Sequence, residues 1–531
     1  MEKLDTVVET DVLVIGGGIA GIFASVKARE LGVDVTLVSK ANIGRSGQSP
    51  WAHGTMVVPP GSDDISADLL KRAHIGGEYI NNRVWTEIVI KESYARFQDY
   101  LSWGQPFLKD EKGDFVRPKM GNKEQAGRLW ALEDGPGSWV QSLRRQPQKT
   151  GVHILEKIMI VDLIMQDGVI VGAIGISTNS WNLFVFKAKA TIICTGSGGF
   201  KPVGGWPIGD LTGDGHAMAY KAGAEITGKE FEDFHSGMIR REGPLMLSMS
   251  PPLPLVDSEH KEIPVGLGLG LDFEAHAGKA PISKGKDEVF SNTALGMSVH
   301  TAEGIWPVDE NCSAGVPGLF AAGDSCGTNV DGAQYSLGGS GTSNASVTGT
   351  RAGIAAALYA KQPGNIKIDE TNLEGLKDSV RRPAQLSGGF TPNWVTQLLK
   401  NALMPYYILR VKKGDCLQAT LTLVEFMRDS LAPKLFARDP HELRLAHETK
   451  NMILNAEMKL RASLYRTESR GMHYREDYPR RVDPDWLAWV LLKEENGHMK
   501  VYKKPVPKEW WPDLTIPYEK RYSTSVPGIS L

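Results

Sequence analysis

The sequence predicts an α/β protein with a Rossmann-like first domain, a short inserted α+β capping domain and a C-terminal helical domain. Three observations carry this prediction. The chain begins with a strand, a glycine-rich turn, a helix and a second strand; a further strand near residue 320 runs into a glycine and an acidic residue; and residues 386–465 are rich in helix formers. At 531 residues the chain is long enough for several structural units.

The N-terminal unit has the order of elements that builds a βαβ fold. Its predicted strand, turn, helix and second strand lie at Asp11–Ile15, 16–21, 22–31 and Val33–Val38. Gly16, Gly18 and Gly21 give the turn the spacing Gly-x-Gly-x-x-Gly. The first glycine permits the tight turn, the second admits a pyrophosphate against the backbone, and the third lets helix and strand pack closely. Because the helix N-terminus also offers N–H groups to phosphates, the unit predicts a dinucleotide site.

The segment after the second strand carries a family resemblance. Where an acidic residue normally binds the ribose hydroxyls, this strand ends in Ser39-Lys40. The stretch 39–54 resembles the flavin-contacting loop of the flavoprotein subunits of succinate dehydrogenase and fumarate reductase, with L-aspartate oxidase and adenylylsulfate reductase as relatives. The resemblance implies FAD as cofactor, and the contacts it implies in this loop are Ser39, Lys40, Arg45, Ser46 and Gly47.

Four later segments resemble the same family. Residues 191–199 resemble its Ala-Thr-Gly-Gly segment, 211–215 its Thr-Gly-Asp-Gly helix start, 318–324 the second FAD fingerprint, and 337–341 the start of a helix aimed at the flavin. The cofactor residues implied by these segments are Thr195, Gly196, Asp214, Asp324, Leu337 and Gly341. For Asp214 a simple helix cap is the alternative interpretation.

Three departures from the family limit what the resemblance implies. Gly47 follows Arg45-Ser46 where the family has its flavin-linking histidine, and His53 is out of register, so we expect FAD without a covalent link. Tyr335 or Ser336 replaces the arginine that grips a substrate carboxylate. The cap between His235 and His300 is short, at about 65 residues, and has no Arg-Asp relay segment. Succinate and fumarate are therefore expected to be poor substrates.

Candidate catalytic residues follow from the place where the cap joins the flavin domain. His235 lies in Phe234-His235, which resembles the family's Phe-His-Pro-Thr segment although Ser236 and Gly237 depart from it. The candidates for substrate and proton handling are His235, His300, Arg240 and Arg241, with His276 as a further histidine. The alternatives are structural histidines and a solvated arginine pair.

The C-terminal third contains the most family-specific segment. Residues 466–479 and 483–487 resemble the region that follows the helical domain in these subunits. From this we predict that Arg470 to Tyr478 helps to dock an iron–sulfur protein, whereas composition alone would favour a solvated arginine-rich face. The predicted divisions are an FAD-binding domain at 1–234 and 300–360, a capping domain at 235–299, a linker at 361–385, a helical domain at 386–475 and a tail region at 476–531.

Composition excludes several classes of function. The net charge of -2 gives no sign of a nucleic-acid partner. The 4 cysteines are far apart and form no Cys-x-x-Cys pair, so we expect no disulfide framework, no metal site and no cluster held by this chain alone. No signal peptide or apolar stretch of about 20 residues is visible, so we expect a cytoplasmic protein that contacts a membrane only through a partner.

Three hypotheses on function stay open at this point. The leading one is an FAD-dependent oxidoreductase subunit that transfers electrons between a small organic substrate and a ferredoxin-like iron–sulfur subunit. The second is a free-standing oxidase similar to L-aspartate oxidase. The third is a non-catalytic flavin-bound assembly subunit, because the arginines that would grip the substrate are missing. The sequence does not identify the substrate.

Overall fold

The computed structural model describes residues 5–51, 55–59, 63–117, 119–120, 123–124, 128–130, 138–199, 209–232, 237–239, 245–246, 254–262, 282–290, 300–364 and 368–522, and all structural statements concern these residues. Their helices are α1 (Ile19–Glu30), α2 (Asp63–Gly76), α3 (Arg83–Ser102), α4 (Ser138–Lys149), α5 (Asp214–Lys221), α6 (Ser340–Ala360), α7 (Glu370–Gln385), α8 (Pro392–Leu403), α9 (Tyr406–Leu409), α10 (Gly414–Phe426), α11 (Pro440–Tyr465) and α12 (Tyr518–Arg521).

The strands of the described residues are β1 (Asp5–Ile15), β2 (Val35–Ser39), β3 (Thr55–Val57), β4 (Lys119–Met120), β5 (Lys123–Glu124), β6 (Arg128–Trp130), β7 (His153–Glu156), β8 (Ile158–Gln166), β9 (Val169–Ser177), β10 (Leu183–Ile193), β11 (Ile226–Thr227), β12 (Gly237–Ile239), β13 (Leu245–Met246), β14 (Leu255–Val256), β15 (Ile282–Lys284), β16 (Asp287–Phe290), β17 (Gly304–Ile305), β18 (Leu319–Ala321), β19 (Val411–Lys412), β20 (Tyr474–Arg475), β21 (Ala488–Glu495) and β22 (His498–Pro505).

The main sheet has seven strands and is built on the predicted N-terminal unit. Its order is β7-β2-β1-β10-β9-β8, with β18 paired to the end of β10. The strands β7, β2, β1, β10 and β18 run parallel, whereas β9 and β8 form an antiparallel extension. The predicted strands and helix are present with shifted bounds, and β1 starts six residues earlier than the apolar run indicated. The parallel part places the carboxyl ends of its strands at one edge.

On one face of this sheet, the helices α1 and α6 pack closely against each other. An added Cβ on Gly349 of α6 would lie 2.5 Å from the carbonyl oxygen of Ala20 in α1, and one on Gly353 would lie 2.4 Å from that of Ala24. Only glycine allows the two helices to approach this closely. The opposite face packs against α5, α11 and β21 through residues that include Met218, Met458 and Val490.

Three further units surround the sheet. The strands β12 to β16 form a separate five-stranded sheet within the predicted capping segment. The helices α8, α10 and α11 share an apolar core, as the predicted helical domain requires. The hairpin β21–β22 joins β11 and β17 in a four-stranded sheet, which the predicted tail region did not anticipate. In the part of the chain that the structure describes, we find no helix with the length and apolarity to cross a bilayer.

Candidate functional site

A cleft opens where the parallel strands of the main sheet end. It is lined by the segments that follow β1, β2, β10 and β18. Ligands of open α/β sheets bind at this edge. Most of the predicted cofactor residues lie together in its lining, namely Gly16, Gly18, Ser39, Lys40, Ser46, Gly47, Thr195, Gly196, Asp214 and Asp324.

The glycines of the first turn have distinct steric roles. Gly16 has a φ of 115°, and an added Cβ would lie 2.2 Å from the carbonyl oxygen of Cys194. An added Cβ on Gly21 would lie 1.8 Å from the carbonyl oxygen of Gly16, so Gly21 serves helix–strand packing and does not line the cleft. Among the described residues, a Cβ on Gly18 would meet only the Ser49 hydroxyl, at a tight 3.0 Å, at the start of α1. These three environments match the three roles predicted from the spacing.

Ser49 was missed by the sequence analysis as an individual residue. Its hydroxyl accepts a hydrogen bond of 3.1 Å from the backbone N–H of Ile19, at the start of α1. Ser49 also lines the cleft, so it stands beside the helix N-terminus at which phosphates bind in this fold. The only available signal was its position inside the family-like loop, without any motif of its own.

Lys40 is held by carboxylates. Its ammonium lies 2.8 Å from Asp214 Oδ2, 2.8 Å from Glu448 Oε1 and 3.0 Å from Thr212 Oγ1. Burial alone would lower the pKa of Lys40, but the two carboxylates outweigh burial and raise it. Lys40 therefore ties the end of β2 to α5 and α11 while it lines the cleft.

Asp214, like Lys40, is held by an ion pair and hydrogen bonds. The N-cap residue of α5 is Gly213, so the alternative of Asp214 as a helix cap is wrong. Its carboxylate accepts hydrogen bonds from Lys40, Thr212 and Asn451 Nδ2, the last at 2.9 Å. Burial would raise the pKa of Asp214, but Lys40 and these donors hold it below its usual value.

Asp324 leaves an acceptor free at the cleft. Its Oδ1 is buried and has no hydrogen-bond partner among the described residues. A buried carboxylate oxygen without a donor is costly, so this atom fits a ligand that brings hydroxyl groups. The glycine backbone at Gly18, the N–H groups at the start of α1 and the free acceptor on Asp324 together fit FAD, as the second fingerprint implies.

His300 is the predicted catalytic residue that the structure brings to the cleft. Its Nδ1 lies 3.7 Å from Asp324 Oδ2, and its ring packs edge-on against Tyr335 with centroids 5.1 Å apart. The other catalytic candidates, and His53, fall outside the described residues; these are His235, His276, Arg240 and Arg241.

The start of α6 differs from the predicted arrangement. The hydroxyl of Tyr335 accepts hydrogen bonds from the N–H groups of Gly339 and Gly341, at 3.0 and 3.3 Å. Leu337 is buried and its N–H donates to Asp331. Leu337, Gly341 and Arg45 are not among the residues that line the cleft, and their contact with the cofactor stays a prediction. Burial raises the pKa of the Tyr335 phenol, which stays protonated at neutral pH.

Asp331 shapes this segment and had no signal in the sequence. It is buried and accepts hydrogen bonds from the Leu337 N–H at 2.8 Å and the Ser340 hydroxyl at 2.6 Å. The hydroxyls of Thr301 and Ser336 donate to it as well. Burial raises its pKa to about 6, although these four donors act against the shift. Asp331 therefore fixes the backbone that places Tyr335.

The arginine-rich C-terminal segment lies inside the protein. Arg466 and Arg470 are both 0% exposed. Arg466 pairs with Glu230 and Glu468 at 3.0 and 2.8 Å, and Arg470 pairs with Glu468 at 2.7 Å. The interpretation as a solvated face is therefore wrong, and so is the assignment of Arg470 to a docking surface. The exposed part of the predicted docking segment is limited to residues 476–478.

Two glycine-lined strand ends, a helix N-terminus and a free carboxylate at one cleft define an FAD-binding oxidoreductase. The family model of the FAD binding domain matches residues 11–246, and that of the fumarate reductase flavoprotein C-terminus matches residues 410–522. The chain belongs to the fumarate reductase and succinate dehydrogenase flavoprotein family. FAD is its cofactor, and the predicted fold class is confirmed.

The chain is similar to several flavoproteins along their whole length. It is 26% identical to a subunit of the fumarate reductase (CoM/CoB) of Methanothermobacter marburgensis, covering 92% of this chain and 97% of that protein. It is 25% identical to the fumarate reductase flavoprotein subunit of Mycobacterium tuberculosis, covering 94% and 98%.

Solved structures show the same fold. Mycobacterium smegmatis Sdh1 in complex with UQ1 superposes with a TM-score of 0.80 at 23% identity over 98% of both chains. Adenylylsulfate reductase from Archaeoglobus fulgidus superposes with a TM-score of 0.81 at 21% identity, over 96% of this chain and 97% of that chain. At these identities the likeness concerns the fold alone.

Proposed function

We propose that this chain is a catalytic flavoprotein subunit that binds FAD non-covalently and transfers electrons between a small organic substrate and an iron–sulfur partner protein. The observation that carries the proposal is the cleft itself, where the open backbone at Gly18 and the free acceptor of Asp324 converge. The bound FAD supplies the hydride and electron chemistry. The chain supplies binding, orientation and proton handling.

The residues at the cleft divide this work. The backbone around Gly16 and Gly18 and the N-terminus of α1 bind the pyrophosphate. Asp324 accepts hydrogen bonds from the sugar-derived hydroxyls. His300 and Tyr335 lie beside Asp324 as candidates for proton handling, and burial keeps Tyr335 in its protonated form. His235, Arg240 and Arg241 complete the catalytic candidates at the junction with the cap.

The absence of a covalent link is tested by acid precipitation. Gly47 has no side chain to bond the flavin, and an added Cβ there would meet no atom of the described residues within 4 Å. We expect the yellow cofactor to appear in the supernatant after denaturation. A protein pellet that stays yellow would contradict non-covalent binding and would make His53 the first residue to replace.

The substrate is proposed to lack the paired carboxylates of succinate and fumarate. Residues 327–350 contain no arginine, and the Tyr335 hydroxyl brings no positive charge. Lys40 is committed to Asp214 and Glu448. A dianion buried over the flavin without matched cations is strongly disfavoured.

Fumarate and succinate are nevertheless the first compounds to test, because the relatives named above are fumarate reductases. Anaerobic protein reduced with dithionite would be mixed with fumarate, and oxidised protein with succinate, while the visible absorbance of the flavin is followed. We expect no change beyond slow background. Flavin oxidation or reduction at about 1–10³ s⁻¹, the range of ordinary enzymes, would refute this and point to Arg240 and Arg241 as carboxylate ligands.

The iron–sulfur partner is supported by the family to which the chain belongs, whose members include named subunits of larger enzymes. In the chain's described residues no cluster of metal-ligating side chains occurs. The exposed Tyr478 offers a contact for the partner. We would purify the protein from its native source and assay iron and acid-labile sulfide.

The same preparation separates the alternatives. An associated brown cluster protein, with Tyr478→Ala weakening its binding while FAD content stays constant, supports the proposal. Full turnover by a lone homo-oligomer with hydrogen peroxide release supports the free-standing oxidase. A flavin that no physiological donor can reduce supports the non-catalytic assembly subunit.

A further inference from the structure

A cluster of ionisable side chains is buried behind the turn that follows β10. Lys229 Nζ lies 3.2 Å from Glu303 Oε1, and Lys459 Nζ lies 3.7 Å from Glu303 Oε2. Lys459 Nζ also lies 3.3 Å from Glu232 Oε2. The imidazole of His216 completes the cluster at 3.4 Å from Glu303. Each of these five side chains is at most 1% exposed, so two cations face two carboxylates away from water.

The cluster is joined directly to the turn. The backbone N–H of Gly198 donates a hydrogen bond of 2.6 Å to Glu303 Oε1. Lys229 Nζ donates to Asn455 Oδ1 at 2.7 Å and contacts His216 Nδ1 at 2.9 Å. Burial, and then the charge of Lys229, lower the pKa of His216 to about 3, so the imidazole is neutral and accepts this hydrogen bond. The net charge of the cluster is therefore set by its lysines and carboxylates.

The same turn forms a wall of the FAD cleft. Thr195 and Gly196 line the cleft, and Gly198 lies two residues further on. Two Cα–Cα steps of about 3.8 Å put the Gly198 Cα within about 8 Å of the Gly196 Cα. Because the cluster is buried, a change in its charge acts on the cleft with little screening.

We propose that Glu303, held by Lys229 and Lys459, is a positioning residue that fixes the Thr195–Gly199 turn against the FAD and sets the reduction potential of the flavin through the charge balance of the buried cluster. The inference goes beyond the proposed function, since it holds for any substrate or partner. It depends only on FAD occupying the cleft, which the acid-precipitation experiment tests separately.

The sign of the effect follows from electrostatics. Reduction adds two electrons, supplied by the reductant, and the accompanying protons come from water. Removing the negative charge of Glu303 leaves the lysines in excess, which favours the electron-rich reduced flavin. Removing the positive charge of Lys229 leaves the carboxylates in excess, which favours the oxidised flavin. Burial lowers the pKa of Lys229 to about 8, so its charge is complete near pH 6.

The test uses the FAD-loaded full chain with three variants, Glu303→Gln, Lys229→Met and the double variant. Midpoint potentials are measured at about pH 6, below the pKa of Lys229, with dithionite and reference dyes. Glutamine keeps an oxygen that can accept from Gly198. We expect a higher potential for Glu303→Gln and a lower one for Lys229→Met. Each substitution should change the equilibrium ratio of oxidised to reduced flavin about tenfold. This corresponds to a shift of about 30 mV for a two-electron couple. The double variant should return close to the parent value.

A control variant and the signs of the potential shifts decide the inference. The control is Glu457→Gln. Glu457 is a buried carboxylate of α11 outside the cluster, and its ion-pair partners are Arg428 and Arg461. Its replacement should leave the reduction potential unchanged. Opposite shifts that cancel in the double variant are not produced by a general loss of packing. Equal signs, unchanged potentials with FAD retained, or loss of FAD from all three variants would overturn the proposal, because each would leave the cluster a purely structural role.

Discussion

The glycine turn at the start of the chain and the arginine-rich segment near its end both interact with charged groups. The turn is expected to bind a pyrophosphate through its backbone, whereas the segment forms ion pairs through its side chains. The turn at residues 16–21 uses backbone N–H groups and the absence of side chains, and its three glycines lie within six residues. The segment at 466–475 uses long side chains, which pair with a neighbour, Glu468, and also with a carboxylate from another part of the chain. Arg466 pairs with Glu230 across 236 residues of sequence.

This difference decides what local sequence can reveal. Backbone conformation and space at Gly16, Gly18 and Gly21 are dictated by residue type and spacing, so the site is predictable. An arginine carries the same charge whether it is solvated or buried, so composition does not distinguish the two cases. Only the folded chain shows that Arg466 and Arg470 form ion pairs at 0% exposure.

The strongest test of the first region replaces Gly18 with valine. Among the described residues a Cβ there meets only the Ser49 hydroxyl, at 3.0 Å, so the fold is retained while the side chain fills the pyrophosphate position. We expect complete loss of FAD absorbance, with far-UV circular dichroism unchanged and a melting temperature equal to that of the FAD-free parent.

Two companion variants sharpen this result. Gly21→Val puts a side chain against the Gly16 carbonyl and should lower the melting temperature even without FAD. Gly375→Val lies in α7, where an added Cβ meets no described atom within 4 Å, and should retain FAD. A Gly18→Val protein with full FAD content would show that the glycine turn is not the phosphate site.

The second region is tested by Arg470→Met. The change leaves Glu468 and Asp483 buried with fewer cations, since Arg470 lies 2.7 Å from each. Removing one partner of a buried ion pair costs about 3–5 kcal/mol. We expect the free energy of unfolding in urea to fall by this amount. The matched control is Arg480→Met, whose exposed ion pair with Glu519 should contribute under about 1 kcal/mol. Equal losses in both variants would contradict the assignment of Arg470 to the interior.

The other features of the molecule also divide into those that local sequence predicts and those that it does not. The Rossmann-like unit, the second fingerprint and the helical domain were predictable, because each is marked by spacing, glycine placement or apolar periodicity. The roles of Lys40, Asp331 and Glu303 were not, because each depends on a partner supplied by another element. Tyr335 was noted as a replacement for arginine, but its hydrogen bonds to the start of α6 follow from backbone geometry that no motif encodes.

Asp331 gives a prediction on pH. Its folded pKa, about 6, lies above the ordinary aspartate value of 3.8, so the folded protein binds the proton more tightly than the unfolded chain. The contribution to stability is therefore present below about pH 4 and is lost as the pH rises through about 6. The difference amounts to about 3 kcal/mol.

Replacement by asparagine isolates this effect. Asp331→Asn should match the parent in free energy of unfolding near pH 4 and exceed it by up to about 3 kcal/mol at pH 7. The exposed carboxylate at the β8–β9 turn provides the control, since Asp167→Asn should track the parent across the whole range. Urea unfolding at about four pH values between 4 and 7 measures both. A parent protein that gains stability over this range relative to Asp331→Asn would show that the carboxylate is stabilised in its charged form.

The smallest expected effect comes from a local signal that is as short as the glycine turn. Asp439 precedes Pro440 at the start of α11, and its Oδ1 accepts a hydrogen bond of 2.8 Å from the N–H of Glu442. An aspartate at this position satisfies an N–H group that has no partner within the helix, and its loss costs about 1 kcal/mol. Asp439→Ala should lower the free energy of unfolding by this amount and leave FAD content unchanged, whereas Asp439→Asn should restore most of the stability. A loss as large as that of Arg470→Met would mean that α11 depends on its cap as much as on the buried ion pairs.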